Sequence, residues 1–101
     1  MQGYDLIRAE RIRQVHSEHY TPAKDAGRED ELIDAARAYA YAATWYDPRE
    51  VDASIAKAAY WPWSSRWWKP ADRKRTLIKA GALIAAAIDA LETEEKEVVH
   101  E

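Results

Sequence analysis

Apolar residues recur at three- and four-residue steps through most of the chain, and proline-led start signals cut that pattern into segments. Tyr4 to His19 predicts a first helix whose stripe is Leu6, Ala9, Ile12, Val15 (or His16) and His19. Arg8, Arg11 and Arg13 fall on its other faces beside Glu10 and Glu18, the pattern of a solvated face with local ion pairs. Thr21-Pro22 is a hydroxyl cap followed by proline at the first helical position, and Ala23 to Arg28, with Gly27, reads as a turn of helix and a loop. A second helix is expected from about Glu29 to Thr44. Glu29, Asp30 and Glu31 suit the positive end of its dipole, and Leu32, Ala35, Ala36, Tyr39 and Ala43 make its core stripe. Asp47-Pro48-Arg49-Glu50 starts a short third helix, capped by Asp47 and ended by Pro62 after about Tyr60. Its apolar contacts are Val51, Ile55, Ala58 and Ala59.

The last helix is expected to start near Asp72, its cap, and to run to about Glu95, with an acidic tail from Glu92. Leu77, Gly81, Ile84, Ile88 and Leu91 lie along one stripe; Ala80, Leu83 and Ala87 add a second. Between Lys79 and Asp89 no side chain is polar, so the segment calls for cover on nearly all sides. Four helices of this size cannot readily supply it, which predicts packing between copies through this helix. Gly81 costs about 1 kcal/mol against alanine inside a helix, and so marks close backbone contact. The expected architecture is all-α: a single domain of about four helices with a tryptophan-rich connector before a long C-terminal helix.

That connector is Trp61-Pro62-Trp63-Ser64-Ser65-Arg66-Trp67-Trp68-Lys69-Pro70, which holds four of the five tryptophans. Two or three of the four are expected in the core, since the chain lacks phenylalanine and each indole buries about 150–250 Å². Trp67 and Trp68, being adjacent, cannot both face the same way, so one is exposed or at a subunit boundary.

Composition narrows the classes. There is no cysteine, which excludes disulfides and thiolate metal sites. The N-terminus lacks the basic region and apolar core of a signal peptide. The longest apolar run, Ala80 to Ile88, is far short of the roughly 18 residues a bilayer span needs. A soluble cytosolic protein without a membrane partner is expected. A net charge of −3 argues against general nucleic-acid binding but not against a local basic site.

One such site suggests itself. From Arg66 to Lys79 there are six cations (Arg66, Lys69, Arg73, Lys74, Arg75 and Lys79) and one acid, Asp72. Cations in a first helical turn cost about 0.3–1 kcal/mol each, and a bound anion reverses that sign. A nucleobase stacked on indole gains about 1–3 kcal/mol, and arginine can cover its other face. His16 and His19 are spaced to share a metal or phosphate, but no second ligand pair follows, and a partly buried structural role fits them better.

The chain resembles a family of small proteins encoded by tailed bacteriophages and prophages. The resemblance rests on Trp61-Pro62-Trp63, Trp67-Trp68-Lys69-Pro70, the basic Arg73 to Arg75, and Lys79-Ala80-Gly81-Ala82-Leu83-Ile84. In the front half it rests on Glu10-Arg11, Arg13-Gln14-Val15, Thr21-Pro22, Asp25, Glu31-Leu32, Ala35-Ala36 and Tyr39-Ala40. It implies a phage origin and a location in the host cytoplasm, and carries over no catalytic residues. Relatives often show a His-Asp-Asp group after the Thr-Pro; Lys24-Asp25-Ala26 stands here instead, which weakens a metal reading.

Three functions compete. The first is a non-catalytic binding protein that sequesters a phosphate-bearing, nucleotide-derived messenger of bacterial immunity. Arg66, Lys69, Arg73, Lys74 and Arg75 would hold phosphates, and Trp63, Trp67 or Trp68 would stack on a base. Tyr20, Lys24, Arg11 or Arg13 would close the site, and no metal or cofactor is called for. The second is an inhibitor that binds a host or defence protein through tryptophan hot spots. The third is a magnesium-dependent nucleotide pyrophosphohydrolase resembling the MazG type. Glu31-Leu32-Ile33-Asp34 fits the second half of its carboxylate pattern, while the first half is missing.

Overall fold

The computed structural model describes residues 1–17 and 27–99, and everything described is helix, turn or loop, with no strand. Among the described residues there are four α-helices: α1 (Gly3–Ser17), α2 (Glu29–Ala42), α3 (Ala53–Ala58) and α4 (Arg73–Val99). Short 3-10 turns at Pro48–Glu50 and Ser65–Trp67 punctuate the connection from α2 to α4. Tyr20 and Lys24 lie outside the described residues, as do Glu18, His19, Thr21-Pro22 and Asp25.

The core forms where α2 meets α4. Leu32, Ala35, Ala36, Ala38, Tyr39 and Ala42 of α2 are buried with Ala80, Leu83, Ala86, Ala87 and Ala90 of α4, joined by Val51, Ala56, Trp61 and Trp68. Alanine on both faces lets the backbones approach, and the two indoles supply the bulk that the small side chains lack. The stripe expected on α2 is the one observed, extended by Ala38 and Ala42.

Three segments differ from expectation, each for a physical reason. The first is α1. Glu10 and Gln14 are its buried residues, while Ala9 and Ile12 are exposed and Leu6, Ile7 and Val15 are intermediate. Its inward face is polar, so apolar periodicity could not find it. The second is the region after Asp47, which caps only a 3-10 turn through the Arg49 N–H at 3.1 Å. Val51 then becomes extended, because its carbonyl accepts the Trp68 indole N–H at 2.6 Å instead of a helical amide. The Ile55 N–H goes to the Asp52 carboxylate at 2.9 Å, and α3 starts there, with Ala56 rather than Ala58 as its buried contact. The third is α4, which runs beyond Glu95 to Val99; its Leu77, Ile84, Ile88 and Leu91 stand about half exposed in the single chain.

Asp72 caps α4 as expected, accepting from the Arg75 N–H at 2.8 Å. The Thr76 hydroxyl, fully buried, bonds both the N–H and the carbonyl of Ala71 at 3.0 Å and locks the preceding turn.

Candidate ligand-binding surface

The tryptophan segment leaves α3 through a left-handed residue, Tyr60, which turns Trp61 inward. Trp61 and Trp68 then share the core with Tyr39. Tyr39 stacks on Trp68 with ring centres 4.7 Å apart, and Trp61 meets Tyr39 and Trp68 edge-on at 5.3 and 5.0 Å. Both buried indole N–H groups are satisfied, that of Trp61 by the Ser64 carbonyl at 3.1 Å and that of Trp68 by Val51. Trp68 therefore offers no ring face to a ligand unless the core opens.

Trp63 is half-buried, edge-on to Trp61 at 5.3 Å, and donates its indole N–H to Glu31 at 2.9 Å. The Arg28 guanidinium, and after it this indole, hold the Glu31 carboxyl below its ordinary value. Trp67 is different. The Ser64 hydroxyl caps the 3-10 turn through the Arg66 N–H, and the turn throws Trp67 outward while Trp68 goes in. Trp67 is 48% exposed, with the Arg66 guanidinium 4.8 Å and the Lys69 ammonium 5.7 Å from its ring centre. Neither cation pairs with a carboxylate among the described residues. Arg11, Arg13, Arg28, Arg37, Arg49 and Arg75 all do.

The cations at the start of α4 have other partners. Arg73 donates to the Ala43 carbonyl at 3.0 Å and so covers an open carbonyl at the end of α2. Arg75 reaches the buried Glu10 carboxylate. Lys79 donates to the Lys69 carbonyl at 2.7 Å, which ties the tryptophan segment to α4. Lys74 is exposed, and with Arg73 it lines a shallow hollow of about 520 Å³ whose other walls are Met1, Gly3, Leu6, Ile7, Leu77 and Ile78. No tryptophan lines that hollow. The start of α4 and the exposed indole are thus two surfaces, and the helix end is closed by its own aspartate.

Glu10 was not among the candidate residues. Its carboxylate is 1% exposed and takes both nitrogens of the Arg13 fork at 2.8 Å, the Gln14 amide at 3.0 Å and Arg75. The signal available was Glu10 and Gln14 at a four-residue step beside Leu6 and Ile7, a polar continuation of an apolar face. The carboxylates of the pyrophosphohydrolase reading have separate partners: Glu31 is held by Arg28 and Trp63, and Asp34 by Arg37 at 3.4 Å. No group of three histidines or carboxylates placed to hold a metal occurs among the described residues.

Fold and surface together define a small all-α protein that presents the half-exposed Trp67 indole with two cations close to its ring. Comparison with protein-family models, with curated proteins and with solved structures finds no match for this chain.

Proposed function

We propose that this protein binds and sequesters a phosphate-bearing, nucleotide-derived small molecule without turning it over. A phage-encoded antagonist of a nucleotide-signalled host defence, acting in the host cytoplasm, is the biological setting that fits such a sponge. The carrying observation is Trp67, half exposed under Arg66 and Lys69, two cations without a described carboxylate partner. The exposed part of the indole supplies stacking for a base, and the adjacent guanidinium and ammonium supply charge for phosphate. Trp63 is bonded to Glu31 and packed edge-on to Trp61, and the candidate residues Lys74, Arg73 and Arg75 belong to the other surface or to structural pairs.

The openness of this platform favours a second reading, a protein partner that buries Trp67 as a hot spot. Native mass spectrometry of the purified chain with a panel of nucleotides and cyclic dinucleotides separates the two. Sequestration gives an unmodified adduct whose affinity falls about tenfold to a hundredfold in Trp67→Ala, the range expected for one lost stacking contact. Arg66→Ala and Lys69→Ala lower it less, each by about threefold to tenfold. Turnover of a nucleotide would replace the sponge with an enzyme. Absence of any adduct, together with a Trp67-dependent protein complex, would replace it with the partner reading.

A further inference from the structure

α4 has three long faces. Ala80, Leu83, Ala87 and Ala90 pack on α2, and the side bearing Gly81, Arg75 and Asp89 takes α1. The third carries Leu77, Ile84, Ile88 and Leu91, exposed by 51%, 51%, 55% and 43%. Steps of seven, four and three residues keep these four in one straight seam, the spacing by which two helices interlock. A contiguous seam of large aliphatic side chains is unlike the scattered apolar residues of an ordinary surface.

We infer that this seam pairs with the same seam of a second copy, running antiparallel, with the two-fold axis near Ile84. The charges choose both the partner and its direction. Arg73 and Lys74 stand exposed at the start of the seam, and Glu92 stands exposed at its end. At 100° per residue, Lys74 and Glu92 fall on the same edge of the helix, the edge beside α1, where both side chains remain exposed. In an antiparallel pair with Leu77 opposite Leu91, that edge sets Lys74 of each copy beside Glu92 of the other. A parallel pair sets basic ends together and acidic ends together, which like-charge repulsion disfavours. The apolar middle and oppositely charged ends thus make α4 complementary to itself reversed. From Leu77 to Leu91 the contact is about 21 Å long and buries on the order of 500–600 Å² per copy, less than the roughly 800 Å² of a standard stable pair. The pair is therefore a reversible dimer rather than an obligate one.

The full chain lacks cysteine, so single cysteines report the geometry cleanly. Leu77→Cys and Leu91→Cys proteins, mixed and oxidised, should cross-link to each other far more than either does to itself, while Ile84→Cys cross-links to itself. Sedimentation equilibrium should show monomer and dimer exchanging with concentration. Ile84→Asp should shift the population to monomer with an unchanged far-ultraviolet circular-dichroism spectrum. Lys74→Glu should weaken the dimer about fivefold or more, and adding Glu92→Lys should restore it. Self-cross-linking of Leu77→Cys, or a monomer at every attainable concentration, overturns the inference; the latter is the result expected if a different protein covers the seam. None of these readouts involves the ligand, so the dimer and the sponge stand or fall separately.

Discussion

Tyr60 occupies a backbone position that glycine ordinarily fills. Its φ is +97°, and it follows the last turn of α3, where the Trp61 N–H returns to the Ala56 carbonyl at 2.8 Å and its own N–H to Lys57 at 3.3 Å. That double closure is a Schellman cap, whose left-handed residue costs about 1–2 kcal/mol when it carries a Cβ. The Arg37 guanidinium lies 3.6 Å from the centre of the Tyr60 ring, and such a contact at an exposed site offsets about 0.5–1 kcal/mol. The residual strain is retained because this one residue turns Trp61 from a helix axis into the core. Tyr60→Ala and Tyr60→Gly both delete the ring and differ only in the Cβ. The glycine variant should be the more stable by about 1 kcal/mol in urea unfolding. Equal stabilities would mean that the left-handed turn is not held in solution.

At the scale of elements, the crossing of α1 over α4 is set by Gly81. A Cβ there would come within 2.6 Å of Ile7 Cδ1 and 2.9 Å of Ile7 Cγ1, and Cγ1 is not a freely moving tip. Gly81→Ala gains up to about 1 kcal/mol of helix propensity but forces Ile7 aside at about 1–3 kcal/mol, so the net change should be destabilising. In an Ile7→Ala background the clash disappears and the same substitution should stabilise. A double-mutant cycle by thermal unfolding reads that reversal of sign, and its absence would place α1 elsewhere. The close approach at Gly81 was legible from sequence, because a glycine amid alanines inside a long helix has few other uses. The α2 stripe was legible too, since its inward residues are apolar and strictly periodic. The orientation of α1 was not, because Glu10 is stabilised inside by Arg75, 65 residues away, and no local pattern records that pairing. The break at Val51 escaped for the same reason: its carbonyl is claimed by Trp68, 17 residues on. In the tryptophan segment the sequence announced one outward indole but not which, and the capped turn at Ser64 decides for Trp67.

For the molecule as a whole, α1 is attached to the α2–α4 core through α4. The described attachments are Ile7 on Gly81, the Glu10–Arg75 pair, and Arg11 to Asp89 at 3.1 Å. Burial pushes the Glu10 carboxyl up, but hydrogen bonds from Arg13 and Gln14 and the charges of Arg13 and Arg75 outweigh it, leaving the group below its ordinary 4.5. A folded value below the unfolded one means that ionised Glu10 contributes stability throughout the range above about pH 4.5. That contribution falls away as the pH drops from there through the lower folded value. Arg13 and Arg75 keep about two-fifths of their side chains in solvent, 40% and 39%, so screening limits the contribution to roughly 1–2 kcal/mol. That is too little to unfold the core, whose contacts are apolar and do not titrate, but enough to loosen one helix. Hydrogen exchange at falling pH, corrected for intrinsic rates, should therefore show α1 amides losing protection below about pH 4.5 while α2 and the middle of α4 stay protected. Glu10→Gln should weaken α1 protection already at neutral pH and flatten the acid step. If wild-type α1 and α2 lose protection together, the carboxylate clamp is not what holds α1 in place.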